Sequence, residues 1–144
     1  MQDDPPIHTR VAGMTHRDGH ISLVCLGWAG GEWGVEDVRE GPLDHFLLDP
    51  ALLLDVPVVL EAAAWTRSLC PAMPYAAPWS VADSLRAAGW DVRPPRWRGG
   101  AAEDPPEADI VKTSLEFPFD DTVMPTTKAY RAFMLAAWGI THDA

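Results

Sequence analysis

The run Val56-Pro-Val-Val-Leu-Glu61 constrains the fold of this 144-residue chain more than any other segment. Its apolar part is too short for a helix and too uniformly apolar for a surface strand. It predicts a central strand covered on both faces, ending in one carboxylate, Glu61. A strand of that kind needs neighbours on either side and helices above and below. The segments flanking it therefore decide the architecture.

Upstream, Ile7 to His16 and His20 to Trp28 read as two strands around the turn Arg17-Asp18-Gly19. Asp-Gly between strand-like runs is a hairpin signal, because the tightest hairpin turns need positive φ. Ala29-Gly-Gly31 makes a second turn, and Trp33 to Arg39 alternates as a third, edge-type strand. The chain thus opens with a three-stranded antiparallel meander. A short helix carries Phe46, Leu47 and Leu48, and Asp49-Pro50 has the form of a cap and first residue for a turn over Ala51 to Leu54. Downstream of the central strand, Ala62 to Ala77 resists assignment. Pro78 to Ala88 reads as a helix closed by Gly89, and Trp90 to Arg93 as a short strand stopped by Pro94-Pro95. Asp104 and Glu107 have capping-box spacing for a helix with Ile110, Val111 and Leu115 inward. Thr126 or Thr127 caps a last helix with Tyr130, Phe133, Met134, Ala137 and Trp138 on one stripe, ended by Gly139. The order β-β-β-α-β-α-β-α-α predicts an α/β fold: a mixed sheet, three antiparallel strands then βαβ units, with helices on both faces.

Length and composition fit one domain. A chain of this size buries roughly 70% of its unfolded surface, enough for a core without metal or disulfides. Met1 to Pro6 reads as a disordered lead, leaving 7–144 as a single domain. The two cysteines, Cys25 and Cys70, form no CxxC pair, and Cys25 lies in an apolar strand as a buried thiol. The acidic start is unlike a signal peptide and no apolar run reaches the ~18 residues of a membrane span, so a cytoplasmic protein without a membrane partner is expected.

The net charge is −10. That opposes bulk, non-specific DNA affinity, which rests on Lys and Arg neutralising phosphates, and it favours a basic partner. Against this background Arg86, Arg93, Arg96 and Arg98 fall close together beside Trp90 and Trp97, the pattern of a nucleic-acid or partner surface or else of solvated arginines flanking a strand. Trp65, Trp79, Trp90 and Trp97, with Met73 and Tyr75, form either an exposed aromatic surface or a mixture of core and loop-edge residues. The acids Asp3, Asp4, Glu36, Asp37, Glu40, Asp44, Asp49 and Asp55 gather in the first half, as a solvated face or as a negative patch that docks on a basic protein. His16 and His20 flank the Asp18-Gly19 turn. With a three-residue loop they would face each other and could share a metal with Asp18 or His8, the alternative being two exposed histidines bracketing a hairpin. No Gly-x-Ser-x-Gly elbow and no phosphate loop is present.

Several segments together resemble the RNase H-like superfamily, and within it small phage and bacterial RuvC-type Holliday-junction resolvases. They are Arg10-Val-Ala-Gly13 with Gly19, Val58-Val-Leu-Glu61-Ala, Ser84 to Val92 followed by Pro95 and Trp97-Arg98, Lys112, and Ala129 to Gly139. The resemblance spans most of the chain and implies the fold above. It also implies Mg²⁺-dependent phosphodiester cleavage, in which three or four carboxylates hold two ions about 4 Å apart. Glu61 is the implied metal ligand, with Asp18 and Asp120 or Asp121 as the other catalytic acids and Arg93, Arg96 and Arg98 on phosphates. The sequence departs from that pattern where it matters. The first strand has no Asp near Met14, and Arg131 stands where the last helix should carry an acid. The expectation is a degenerate nuclease domain of phage or mobile-element type, with branched nucleic acid or its handling machinery as partner, and a homodimer is compatible with it. The alternative is a small acidic anti-defence or immunity-type protein that inhibits a basic nucleic-acid-binding partner by direct contact. A third reading is a structural subunit of a larger complex.

Overall fold

A computed structural model of the chain describes residues 9–48, 55–68, 78–95, 107–116 and 126–141. Strands β1 (Arg10–Arg17), β2 (His20–Ala29), β3 (Glu32–Pro42), β4 (Pro57–Leu60) and β5 (Asp91–Arg93) form one sheet in the order β3-β2-β1-β4-β5. The first three run antiparallel, whereas β4 lies parallel to β1 and β5 parallel to β4. This is the mixed sheet that the element order predicts. Helices α1 (Leu43–Leu48), α2 (Val81–Ala87), α3 (Glu107–Glu116) and α4 (Thr127–Thr141) complete the described elements, with a 3-10 turn at Ala62–Trp65. The expected helical turn at 51–54 and the N-terminal lead lie outside the described residues.

Local chemistry explains most of these elements. Asp18 (φ 51°) and Gly19 (φ 77°) both take positive φ, the signature of a two-residue type I′ turn. Arg17 therefore pairs with His20, and His16 with Ile21. The loop is thus one residue shorter than a facing His16–His20 pair requires, and the two histidines project from opposite faces of the sheet. Helix α2 begins three residues later than expected, because Ser80 and Asp83 form a reciprocal capping box. It ends in a Schellman arrangement, with Gly89 N–H on the Arg86 carbonyl, Trp90 N–H on the Leu85 carbonyl, and Gly89 at φ 106°. Thr126 is the cap of α4, its Oγ1 accepting the Ala129 N–H at 3.0 Å.

The sheet carries a core on each face. Ala12, Met14, Ile21, Leu23, Cys25, Val58, Leu60 and Val92 meet α1, α2 and the 3-10 turn through Phe46, Ala64, Ala82, Leu85 and Trp90. Val11, Val24, Leu26 and Trp33 meet α4 through Ala129, Ala132, Phe133, Ala136 and Ala137. Cys25 is fully buried, and that burial pushes its thiol up to about 11. Helix α3 packs against α4. It turns Ile110 and Ser114 inward and leaves Leu115 74% exposed, with Val111 at the surface too. The expected inward pair Val111 and Leu115 is corrected accordingly. A helix resting on one neighbouring helix buries a narrow stripe, and here the stripe runs one position earlier than the apolar residues suggest. Gly139 does not end α4. It is buried within the helix, which continues to Thr141. Strand β3 also runs past Arg39 to Pro42, with one bulge: Cys25 faces Asp37 and Leu26 faces Val35, leaving Glu36 as the extra residue.

The closest approach of the two layers is at Gly13. A Cβ there would overlap the Ala132 carbonyl oxygen and come within 2.6 Å of the Ala136 nitrogen. Backbone atoms of a packed helix cannot give way as a flexible side chain can. Gly13→Ala is expected to cost about 3 kcal/mol of stability, the upper range for overpacking. Gly34→Ala, where an added Cβ meets nothing within 4 Å, should change stability by less than about 0.5 kcal/mol. Urea denaturation of both variants checks this. A Gly13 variant within about 1 kcal/mol of wild type would show that α4 lifts from the sheet at little cost.

Candidate functional site

Glu61 sits where β4 leaves the sheet. Its own N–H still donates to the Met14 carbonyl at 3.1 Å, as in a parallel ladder. The backbone then bends into the 3-10 turn, and the Glu61 carbonyl accepts from Ala64 N–H instead of from β1. The next donor on β1, the His16 N–H, is taken by the side chain: Glu61 Oε1 accepts it at 2.9 Å. One carboxylate oxygen thus supplies the rung of the ladder that the turn removes. The side chain can do this because it is 3% exposed, held at the mouth between the two parallel strands. A charge-assisted bond of this kind is stronger than the amide–amide bond it replaces.

The surroundings are mixed in character. His16 is half-buried, and desolvation lowers its pKa from the usual 6.5, while Glu61 and then Asp18 pull it upward. Asp18 itself is at the exposed tip of the hairpin. In the β1–β4 register Met14 faces Leu60, so the next position on β1, Thr15, lies beside Glu61. Thr15 is buried and neutral. On the α4 face, Ser22 donates to Glu40 at 3.1 Å and Thr126 donates to the other Glu40 oxygen at 2.9 Å, tying the start of α4 to β3. Arg131 is half-buried in the second turn of α4.

Other expected site residues fall in different places. Trp90 is 2% exposed and donates its indole N–H to the Phe46 carbonyl at 2.9 Å, so it is a core residue and not part of a surface. The signal for this was its place between a helix cap and the short strand β5. Arg93 is bonded to Asp91 on the same strand, with Nη2–Oδ2 at 3.0 Å. Asp120, Asp121, Arg96, Arg98 and Trp97 lie outside the described residues. Among the described residues no group of three or more His, Cys, Asp or Glu is placed to hold a metal ion. The expected turn site built on His16, His20 and Asp18 is therefore not formed, the opposed faces of the two histidines being the reason. No helix among the described residues is long and apolar enough to cross a membrane.

No family model matches the chain, and no curated protein matches it. Among solved structures, the P22 large terminase nuclease domain superposes with a TM-score of 0.54 at 9% identity, covering 97% of this chain and 87% of that one. The chain has an RNase H-like fold. Nucleases of this fold generally use divalent metals. The described residues do not fit a two-metal centre. Glu61 is a single carboxylate with one oxygen committed to the backbone, Thr15 is neutral, and the acid that the resemblance implies on the last helix is replaced by the cation Arg131. Completing such a centre would require acids from outside the described residues, of which Asp120 and Asp121 are the sequence candidates.

Two outcomes follow from the Glu61 geometry. Glu61→Ala strips a part-buried N–H of its acceptor and should cost about 2 kcal/mol, whereas Glu61→Gln keeps an acceptor oxygen and should cost clearly less. Equal losses in chemical denaturation would show that the bond does not hold the β1–β4 junction. Histidine NMR titration should place His16 below 6.5, and lower still in Glu61→Gln, because the attraction of the carboxylate is gone. Since the fold favours neutral His16, its contribution to stability is fully present above pH 6.5 and is lost as pH falls from there through the lower folded-state value. A His16 pKa above 6.5 would reverse the sign.

Proposed function

We propose that the chain is an RNase H-fold domain of phage or mobile-element type that binds structured nucleic acid, or the machinery handling it, without a working two-metal nuclease centre. The observation that carries this reading is the state of Glu61: it closes a backbone ladder, beside Thr15 and with Arg131 on the helix position that should be acidic. A two-metal mechanism needs several carboxylates converging on one point, so that one ion activates water and the other stabilises the leaving oxygen. A lone carboxylate engaged with an N–H serves the fold first.

The acidic alternative, a protein that blocks a basic partner, gains less from the geometry. On β3, Asp37 is bound by Arg39 at 2.7 Å, Glu36 by Arg10 at 3.0 Å, and Glu40 by Ser22 and Thr126. Among the described residues, Asp37 and Glu36 are thus paired with arginines of the same chain, and Glu40 is engaged by two hydroxyls.

Incubation of the purified protein with a labelled four-way DNA junction, single strands and duplex, in Mg²⁺ and Mn²⁺, tests the proposal. Retardation of the junction or the single strand without cleavage is expected from wild type and from Glu61→Gln alike. Metal-dependent cutting that disappears in Glu61→Gln would overturn the non-catalytic reading and bring Asp120 and Asp121 into the site. Neither binding nor cutting would turn attention to a basic protein partner.

A further inference from the structure

The structure assembles an aromatic and basic surface that differs from the one the sequence suggests. It is built from the segment after Glu61 and from α2. Trp79 is 54% exposed, yet its ring is held: the indole N–H donates to Ser84 Oγ at 2.6 Å, and its backbone pairs with Ser68 in both directions at 3.0 and 3.1 Å. Arg67, one residue before Ser68, donates from Nε and Nη2 to the two oxygens of Asp83 at 3.1 and 3.3 Å, with its side chain 64% exposed. One turn further along α2, the Arg86 guanidinium lies over the Trp65 ring at 4.6 Å from its centroid and donates to the Val92 carbonyl at 3.3 Å. Trp65 in turn is pinned by its indole N–H on the Leu60 carbonyl at 3.0 Å.

Each contact fixes a group that would otherwise be mobile; Trp79, Arg67 and Arg86 stay exposed, while Trp65 is partly buried against the core. An exposed indole is not needed for the core, whose helix face is already filled by Ala82 and Leu85. Two guanidiniums lie in this region, Arg67 on the Asp83 carboxylate and Arg86 on the Trp65 ring, in a chain of net charge −10. Asp83 balances Arg67, and Arg86 on the Trp65 ring is the guanidinium left over, where the molecule as a whole is acidic. A held aromatic face beside arginines is the arrangement on which unpaired bases stack while their phosphates meet guanidinium groups.

We propose that Trp79, with Arg67 and Arg86, forms a stacking platform for unpaired bases of single-stranded or branched nucleic acid. This rests on the proposed nucleic-acid-binding role and names the surface that performs it. The platform lies on the sheet face that carries α1 and α2, starting four residues after Glu61. Its occupant is the unpaired strand, not the duplex, because a paired base offers no free face to an indole.

Fluorescence anisotropy with a labelled mixed-sequence single strand, and with a blunt duplex of equal length, tests this on the full chain at low salt. Wild type should bind the single strand more tightly than the duplex. Trp79→Ala should weaken single-strand binding roughly ten-fold, the scale of one lost base–aromatic stack, and Trp79→Phe should recover most of it. Arg86→Ala and Arg67→Ala should each weaken binding by a smaller factor. Because Trp79 is exposed, unchanged thermal melting of Trp79→Ala serves as the folding control. Binding that is tight in wild type and unaltered in Trp79→Ala would overturn the platform while leaving the nucleic-acid role standing. Absence of any nucleic-acid binding by folded wild type would remove that role and the platform with it. A protein occupant would then account for the patch.

Discussion

Strand β1 stands at the centre of the sheet and is gripped from three sides. It pairs with β2 along its whole length and with β4 over its middle, and α4 lies directly on its backbone at Gly13. That last contact sets the spacing of the molecule. With no side chain at Gly13 and small residues at Ala129, Ala132, Ala136 and Ala137, the helix sinks until backbone nearly meets backbone. The larger residues then fall at the flanks, with Phe133 and Trp33 closing one side of the layer. The other face of the sheet uses bulk instead, filling the space under α1 and α2 with Met14, Leu23, Leu60, Phe46 and Trp90. The molecule is therefore asymmetric in how it packs its two helix layers, thin over α4 and thick over α2.

The geometry around Glu61 follows from how β4 leaves the sheet. Strand β4 ends at Leu60 opposite Met14 and enters the 3-10 turn at once, while β1 runs on to Arg17. That exit deprives β1 of one acceptor, and a buried, unpaired N–H is costly. A glutamate at the first residue past the strand reaches back and supplies the missing oxygen. An asparagine or serine would be too short to do so from the same backbone, and a lysine would bring the wrong sign. The sheet junction alone can therefore account for a carboxylate at this position.

Much of the fold was legible because its signals are local. Asp18-Gly19 dictates a I′ turn, Ser80 and Asp83 spell a capping box, Gly89 supplies the positive φ of a helix end, and Val56 to Leu60 is apolar on both faces. What the sequence concealed depends on tertiary partners. Nothing local distinguishes the exposed Leu115 from the buried Ile110, since both are apolar positions on one helix and only the neighbour α4 decides which faces in. Trp90 and Trp79 are likewise the same residue type at the two ends of one helical segment, yet one is core and the other surface. The arginine cluster read along the chain was a linear feature, whereas the arginine seen over a tryptophan ring is Arg86 on Trp65, twenty-one positions earlier, and Arg67 reaches α2 through Asp83.

The charge of the chain also bears on what kind of contact it can make with a polyanion. Beyond the Debye length of about 8 Å in physiological salt the repulsion of a net charge of −10 is largely screened, and inside that range local groups dominate. Affinity drawn from many loosely held lysines is closed to such a molecule, since it lacks the surplus of cations whose counterion release drives that mode. Affinity drawn from stacking is not, because dispersion and the expulsion of water from a base face do not depend on net charge. An acidic domain that engages nucleic acid must then do so through a small number of fixed, short-range contacts and must favour bases that are already unpaired. The held indole of Trp79 and the guanidinium seated on Trp65 are fixed, short-range groups of that kind.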